Sequence, residues 1–320
     1  MVAIGCAGIL VADTFCGPMP ALPQSGELLV VGAITTSAGG CAANVAIGVA
    51  LQGLEVQIAG CVGSDSSADP LLAELDRYGV DCSRVTRSTN LPTSRTVVLV
   101  IKDDDRRYIH TFGANAALSA SHLDADWIAG LDLFYLGGLL ALPAMDTDAL
   151  SLLLKGARQA RTTTVVDVVV PNTFSDIAAI DPLLPNIDIF VPNLDEARAL
   201  TGLDNPPDQI AALQLRGART VIVTCGERGA YAGANRRLFH APAYRLDTID
   251  PSGSGDAFTA GIISAISRGE DLAGMLQLGC ALGASAARTI GATTSVFHGN
   301  EASAFIAANP LEVEELEWKS

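Results

Sequence analysis

Asp250-Pro-Ser-Gly-Ser-Gly-Asp-Ala-Phe258 runs directly into Thr259-Ala-Gly-Ile-Ile-Ser-Ala-Ile266, and this stretch decides how the 320-residue chain is read. Two glycines and two small hydroxyl residues stand ahead of an acidic residue, and an apolar helical pattern follows at once. Ser252 and Ser254 suit an N-cap or turn, because a short side-chain oxygen can accept from the free amides of a first helical turn. Gly253 and Gly255 let backbone N–H groups approach a ligand with no Cβ in the way. Such amides, carrying roughly half a positive charge at a helix N-terminus, make an anion site. Asp256 is then out of place unless it has a task, such as taking a proton from an attacking hydroxyl. A phosphate cradle beside a base suggests phosphoryl transfer to an alcohol. Taken alone, the nonapeptide fits a well-capped structural helix equally well, and the rest of the chain has to decide.

The remaining sequence alternates strand-like and helical runs. Residues 2–11 form a continuous apolar run, as a strand buried on both faces should. Residues 56–62, 131–136, 163–170, 187–191 and 220–224 read as further strands. A glycine turn opens a helix over 39–51, and helices are expected over 70–78, 146–160 and 195–201. This alternation predicts an α/β protein with a three-layer α/β/α architecture around a mainly parallel sheet, in one domain spanning 1–320. Residues 27–36 and 95–111 break the rhythm, being strand-like with no helix between them; the second contains the polar turn Lys102-Asp103-Asp104-Asp105. They predict a small inserted β-sheet, drawn from about 15–36 and 94–113, that serves as a lid or dimer surface. Ligands of open parallel sheets bind beyond the carboxyl ends of the strands. Asp13, Gly39, Gly40, Asn193 and Thr224 are expected at such ends, together with the opening motif.

Composition narrows the function. The net charge is −15, from 35 acidic and 20 basic residues, and no basic cluster exceeds Arg106-Arg107 or Arg236-Arg237. That excludes a nucleic-acid partner, which needs a basic footprint, while leaving room for an anion such as ATP bound by local amides. Seven scattered cysteines without a Cys-x-x-Cys spacing fit a reducing cytoplasm better than disulfides or zinc. The apolar N-terminus lacks a basic n-region and reads as a first strand rather than a signal peptide. The small-residue helix near 273–292 carries Gln277 and Arg288, so no transmembrane span or membrane partner is expected. Residues 312–317 read as a solvated acidic tail, and His110, His122, His240 and His298 as surface or cap residues.

Five motifs together resemble the ribokinase/PfkB carbohydrate kinases over nearly the full length. They are Asp13 after the first strand, Gly39-Gly40-Cys-Ala-Ala-Asn44, Gly113-Ala-Asn-Ala-Ala-Leu118, Asn193-Leu-Asp-Glu196 with Ala-Leu-Thr-Gly202, and Asp250 to Phe258. The resemblance implies a ribokinase-like fold and a kinase that uses ATP and Mg²⁺ on a small sugar. Asp256 would then be the base, and Gly253, Ser254 and Gly255 the anion hole for the transferred phosphoryl group. Asp13, Gly39, Gly40 and Asn44 would hold the sugar hydroxyls. Glu196 would orient Mg²⁺ through water with Asn193, while Thr224, Gly226 and Gly291 with Ala292 would border the nucleotide. Asp250 and Ser252 fall where relatives bind an activating monovalent cation, here K⁺. A homodimer through the β lid is implied as well. Cys41 stands where ribokinases commonly have Lys, the Asp167 segment lacks a following Arg, and Gly137-Gly138 lacks an acidic neighbour, so ribose is not implied as the substrate. A nucleoside kinase on the same scaffold is the alternative, and a catalytically silent sugar or nucleotide sensor is a third reading. A dinucleotide oxidoreductase is excluded, because no Gly-x-Gly-x-x-Gly turn follows the first strand.

Overall fold

Strand residues here point alternately to two apolar layers. The computed structural model describes residues 2–102, 106–171 and 177–318. In chain order the elements are β1 (Ile4–Gly8), β2 (Val11–Met19), β3 (Ile34–Gly39), α1 (Cys41–Leu51), β4 (Val56–Gly63), α2 (Ala68–Arg77), β5 (Val80–Ser88), β6 (Arg95–Ile101) and β7 (Arg107–Thr111). There follow α3 (Ala125–Ala129), β8 (Leu133–Gly137), α4 (Thr147–Gln159), β9 (Thr163–Val166), β10 (Ile189–Phe190), α5 (Leu194–Thr201), α6 (Pro206–Leu215) and β11 (Thr220–Thr224). The last are β12 (Ala230–Ala234), β13 (Arg237–Ala241), α7 (Ser254–Ser267), α8 (Leu272–Ala286), α9 (Gly299–Ala308) and β14 (Glu314–Leu316).

Ten strands form the main sheet in the order β14-β13-β12-β11-β10-β9-β8-β1-β4-β5. The run from β5 to β11 is parallel, and β12, β13 and β14 add antiparallel strands at one edge. In β8, Phe134 and Leu136 join a core with α3, α4, α5 and α6, while Leu133 and Tyr135 join a core with α1, α2, α7 and α8. That two-residue alternation is what sandwiches the sheet between helical layers. Each fully buried Leu or Phe here contributes roughly 1.5–3 kcal/mol relative to exposure. α7 and α8 pack backbone to backbone, since a Cβ on Gly261 would lie 2.7 Å from the Cα of Gly279.

A separate four-stranded sheet, ordered β3-β2-β6-β7, is the lid. Residues 2–11 are not one strand. β1 ends at Gly8 and β2 begins at Val11 in the other sheet, so the continuous apolar run conceals a passage between sheets. Asp13 therefore lies within the lid, opposite Ser37 and Thr96, and not at the end of a parallel strand. The strand expected over 27–36 is displaced to β3 (Ile34–Gly39), leaving Leu28 and Val30 exposed outside any strand. Residues 314–316 of the supposed solvated tail pair with β13 as a sheet edge, Glu315 binding Arg237. The polar turn read at Lys102–Asp105 lies outside the described residues from Asp103 onward.

Candidate active site

The sharp turn before α7 is built from glycine. Gly253 is the N-cap at φ 75°, a left-handed conformation, and a Cβ there would come within 2.6 Å of the Ala292 backbone. Ser252 takes the turn role expected of it, and neither serine caps the helix. Ser252 donates its amide to Asp250 Oδ1 at 2.7 Å, and Ser254 is the first helical residue. The Ser254 Oγ is buried without a protein partner. Gly255 and Asp256 belong to the first turn of α7, whose N–H groups have no acceptor within the helix. The glycine turn and the acidic residue thus meet at one helix end.

Asp256 meets the N-terminal half of the chain. The Asn44 side chain, on α1, donates from Nδ2 to Asp256 Oδ2 at 2.7 Å, and the Cys41 thiol also donates to this carboxyl. Asn44 Oδ1 is buried and has no protein partner, leaving an acceptor for a ligand hydroxyl. Burial raises the Asp256 carboxyl to about 6 against the lowering effect of Asn44 and Cys41. α1 can start here because Gly40, at φ 90°, lets the chain turn where a Cβ would lie 2.5 Å from the Ile9 carbonyl. A Cβ on Gly39 would collide with the Asp13 carboxylate. Gly39 therefore makes room for Asp13, whose carboxyl is raised to about 6 by burial, opposed by a hydrogen bond from Thr96 and reinforced by the charge of Asp256.

One cleft of ≈ 140 Å³ is lined by Asp256, Gly255, Glu196, Asn193 and Thr224, together with Asp167 and Cys41. Asn193 and Glu196 form a capping box at the start of α5, the Glu196 carboxyl accepting the Asn193 amide at 2.8 Å. Burial lifts Glu196 to about 7, the Asn193 amide opposing and Asp256 and Asp195 adding to the rise. Thr224 ends β11 and pairs with Asn193 through an isolated bridge. Gly226 lies beyond it in a short 3₁₀ turn, outside this cleft lining. Gly291 stands on the far side of the turn and donates to Asp250 Oδ2 at 3.2 Å.

Four neighbours were not picked out as site residues from the sequence. Asp167, just past β9, accepts from the Tyr135 hydroxyl and from the Gly138 amide at 2.5 Å. Burial and the charge of Asp256 push its carboxyl well above the usual range. Ligand atoms of Cys41, Asp167 and Asp256 lie within 4.8 Å of one another. Each Asp167 oxygen already accepts one hydrogen bond, from Tyr135 and from Gly138, and Cys41 donates to Asp256. The rule that strand ends carry sites pointed to Asp167. Thr96 and His110 extend from Asp13 across the lid: Thr96 serves Asp13, and His110 Nδ1 lies 3.0 Å from Thr96 Oγ1. His110 is exposed on the lid as a surface residue but has Thr96 as a partner, whereas His122 and His298 are caps and His240 binds the Arg228 carbonyl. Arg106, at the edge of the lid, donates to both Asp250 and Ser252. The Asp250 and Ser252 oxygens expected to border a monovalent cation are the ones that face this guanidinium.

The family model described as "pfkB family carbohydrate kinase" matches residues 9–298. The chain is 29% identical over 272 residues to the 2-dehydro-3-deoxygluconokinase of Bacillus subtilis, covering 82% of this chain and 84% of that protein. It is 28% identical over 284 residues to the adenosine kinase of Saccharomyces cerevisiae, covering 83% and 82%. The fold superposes, with a TM-score of 0.82 and 24% identity, on a crystal structure of a putative ribokinase II from E. coli in complex with ATP and Mg²⁺, covering 97% of this chain and 100% of that one.

Proposed function

Because the chain belongs to the PfkB family of carbohydrate kinases, we propose that it transfers the γ-phosphate of ATP to a hydroxyl of an uncharged monosaccharide or its derivative, with Asp256 as general base. The observation that carries this reading is the Asp256 carboxyl at the head of α7, beside first-turn amides and held by Asn44 at 2.7 Å. Asn44 Oδ1 and Asp13 receive the acceptor hydroxyls, Gly39 and Gly40 giving them room. As the acceptor oxygen attacks phosphorus, its proton passes to Asp256, the bond to the ADP oxygen breaks, and the amides of Gly253, Ser254 and Gly255 receive the charge of the transferred group. Thr224, Gly226 and Gly291 border the nucleotide in this reading.

Glu196 with Asn193 beside it fits Mg²⁺, because hard oxygen donors and surplus carboxylate charge suit a divalent ion that keeps much of its water. When bound, the ion neutralises the nucleotide phosphates. Asp13 and Asp256 put two carboxyls on the acceptor side, and no Lys or Arg lines the described cleft beside Asp256. An acceptor carboxylate is therefore disfavoured, despite the match to a sugar-acid kinase. A nucleoside acceptor is the second reading, favoured by the similarity to an adenosine kinase. A dimer joined through the lid, whose segment exposes Leu28, Val30, Ile34 and Ile109, belongs to the same proposal. So does a cytoplasmic site of action, in keeping with seven free cysteines. No described helix is long and apolar enough to cross a membrane.

ADP release with Mg-ATP is the test, measured over neutral sugars, sugar acids and nucleosides. Turnover with a neutral sugar, abolished in Asp256→Asn while ligand binding persists, is the expected result. Turnover confined to sugar acids would refute the charge argument, and ATP binding without turnover on any acceptor would point to a sensor.

A further inference from the structure

We infer that Arg106 is a positioning residue for phosphoryl transfer: carried by the lid, it grips the turn ahead of α7 and couples lid closure to assembly of the amide cradle. The inference rests on the proposed kinase reading. Arg106 lies 144 residues from Asp250 in sequence and directly precedes β7. Its guanidinium donates to Asp250 Oδ1 and Ser252 Oγ. The pair is sequestered, with the side chains of Arg106 and Asp250 only 12% and 2% exposed. Asp250 in turn accepts from the Ser252 amide at 2.7 Å and the Gly291 amide at 3.2 Å. One carboxylate therefore ties together the lid, the turn leading to Gly253, and the loop at Gly291.

The electrostatics give this tie a direction. Asp250 is almost fully buried, so lifting the lid would leave a desolvated carboxylate with amide partners but without its opposing charge. Charge-assisted bonds from a planar guanidinium also fix orientation more tightly than a point charge does. Closure therefore stabilises the turn in the geometry that presents Ser254, Gly255 and Asp256 to a phosphoryl group. Opening loosens it. Lid-bound acceptor contacts at Asp13 and cradle order at Gly253 would then form together, which limits ATP hydrolysis in an open site.

The experiment compares wild type, Arg106→Ala, Arg106→Lys and Asp250→Asn using the acceptor that gives the fastest ADP release. For Arg106→Ala we expect kcat to fall about 10²-fold, the scale of a displaced catalytic geometry, with the melting temperature close to that of wild type. Guanidinium ion at low millimolar concentration should restore part of that loss in Arg106→Ala and none in wild type. Arg106→Lys should lie between the two, and the double variant Arg106→Ala/Asp250→Asn should lose no more than the worse single variant. A kcat within about twofold of wild type in Arg106→Ala would overturn the inference, as would a loss that follows unfolding with neither guanidinium rescue nor recovery in Arg106→Lys. A wild-type protein inactive on the whole acceptor panel would instead refute the kinase reading on which the inference rests.

Discussion

Replacing Asp256 by Asn removes one negative charge while keeping nearly the same shape. The new amide oxygen can still accept from Asn44 Nδ2, and its NH₂ can donate to the buried, unpartnered Asn44 Oδ1. Burial raises the Asp256 carboxyl from 3.8 to about 6 in the folded protein. A carboxyl raised on folding is most favourable when protonated: its contribution is fully present below its unfolded value and is lost as pH rises through about 6. At about 1.4 kcal/mol per pKa unit, the difference sets a ceiling of about 3 kcal/mol. Asp256 keeps some solvent contact, so about 1–2 kcal/mol is the working expectation after screening. Asp256→Asn should therefore be more stable than wild type at pH 8 by about that amount, the advantage shrinking to near zero by pH 4. Urea titrations at several pH values, with the slope m checked for constancy, measure it directly. A variant no more stable than wild type at pH 8, or one whose gain persists undiminished at pH 4, would show that burial of this charge is not what the fold tolerates for function.

The remaining predictions concern rate and assembly. With acceptor varied, kcat/KM should decline as pH falls through about 6, because Asp256 and Asp13 both rise to about 6 and must be ionised to accept protons and hydroxyl hydrogen bonds. The measured midpoint belongs to the coupled group, including Glu196 at about 7, and a flat profile down to pH 4.5 would contradict a carboxylate base in this environment. Ile34→Asp, placing a charge on the exposed apolar lid strand, should weaken any homodimer about 100-fold or more, read by sedimentation against protein concentration. An unchanged dimer would move the interface away from the lid.

Most of the layered architecture was legible because buried parallel strands and amphipathic helices leave different periodicities. Thr220–Thr224 and the helix after Asp146 coincide with or fall within a residue of their expected limits. The break at Ile9–Leu10 was not legible. Ile9, Leu10 and Val11 are as apolar as β1, so a run that changes sheets carries the same pattern as one long strand. The site divides along the same line. Motif residues Asn44 and Asp256 were read together although 212 positions separate them. Thr96, His110 and Arg106 were not, because an ordinary Thr, His or Arg acquires its role only when β6 pairs with β2, β7 pairs with β6 and Arg106 reaches the turn before α7.

The charge distribution makes one last connection between fold and chemistry. Carboxyls at Asp13, Glu196 and Asp256 rise to about 6, 7 and 6, each chiefly through burial, and Asp256 adds to the rise at both of the others. A site selected only for stability would pair or discard such groups. Here they remain in and around one cleft, while Asp250, a few residues away on the phosphate side, is matched by Arg106. If Asp13 and Asp256 face the acceptor as proposed, their unmatched charge favours hydroxyls and resists a second anion. In the proposed reading, the first-turn amides of α7 supply the partial positive charge on the phosphate side. In that reading the two substrates are separated by charge before shape acts, and a divalent cation beside Glu196 would offset the repulsion that ATP meets there.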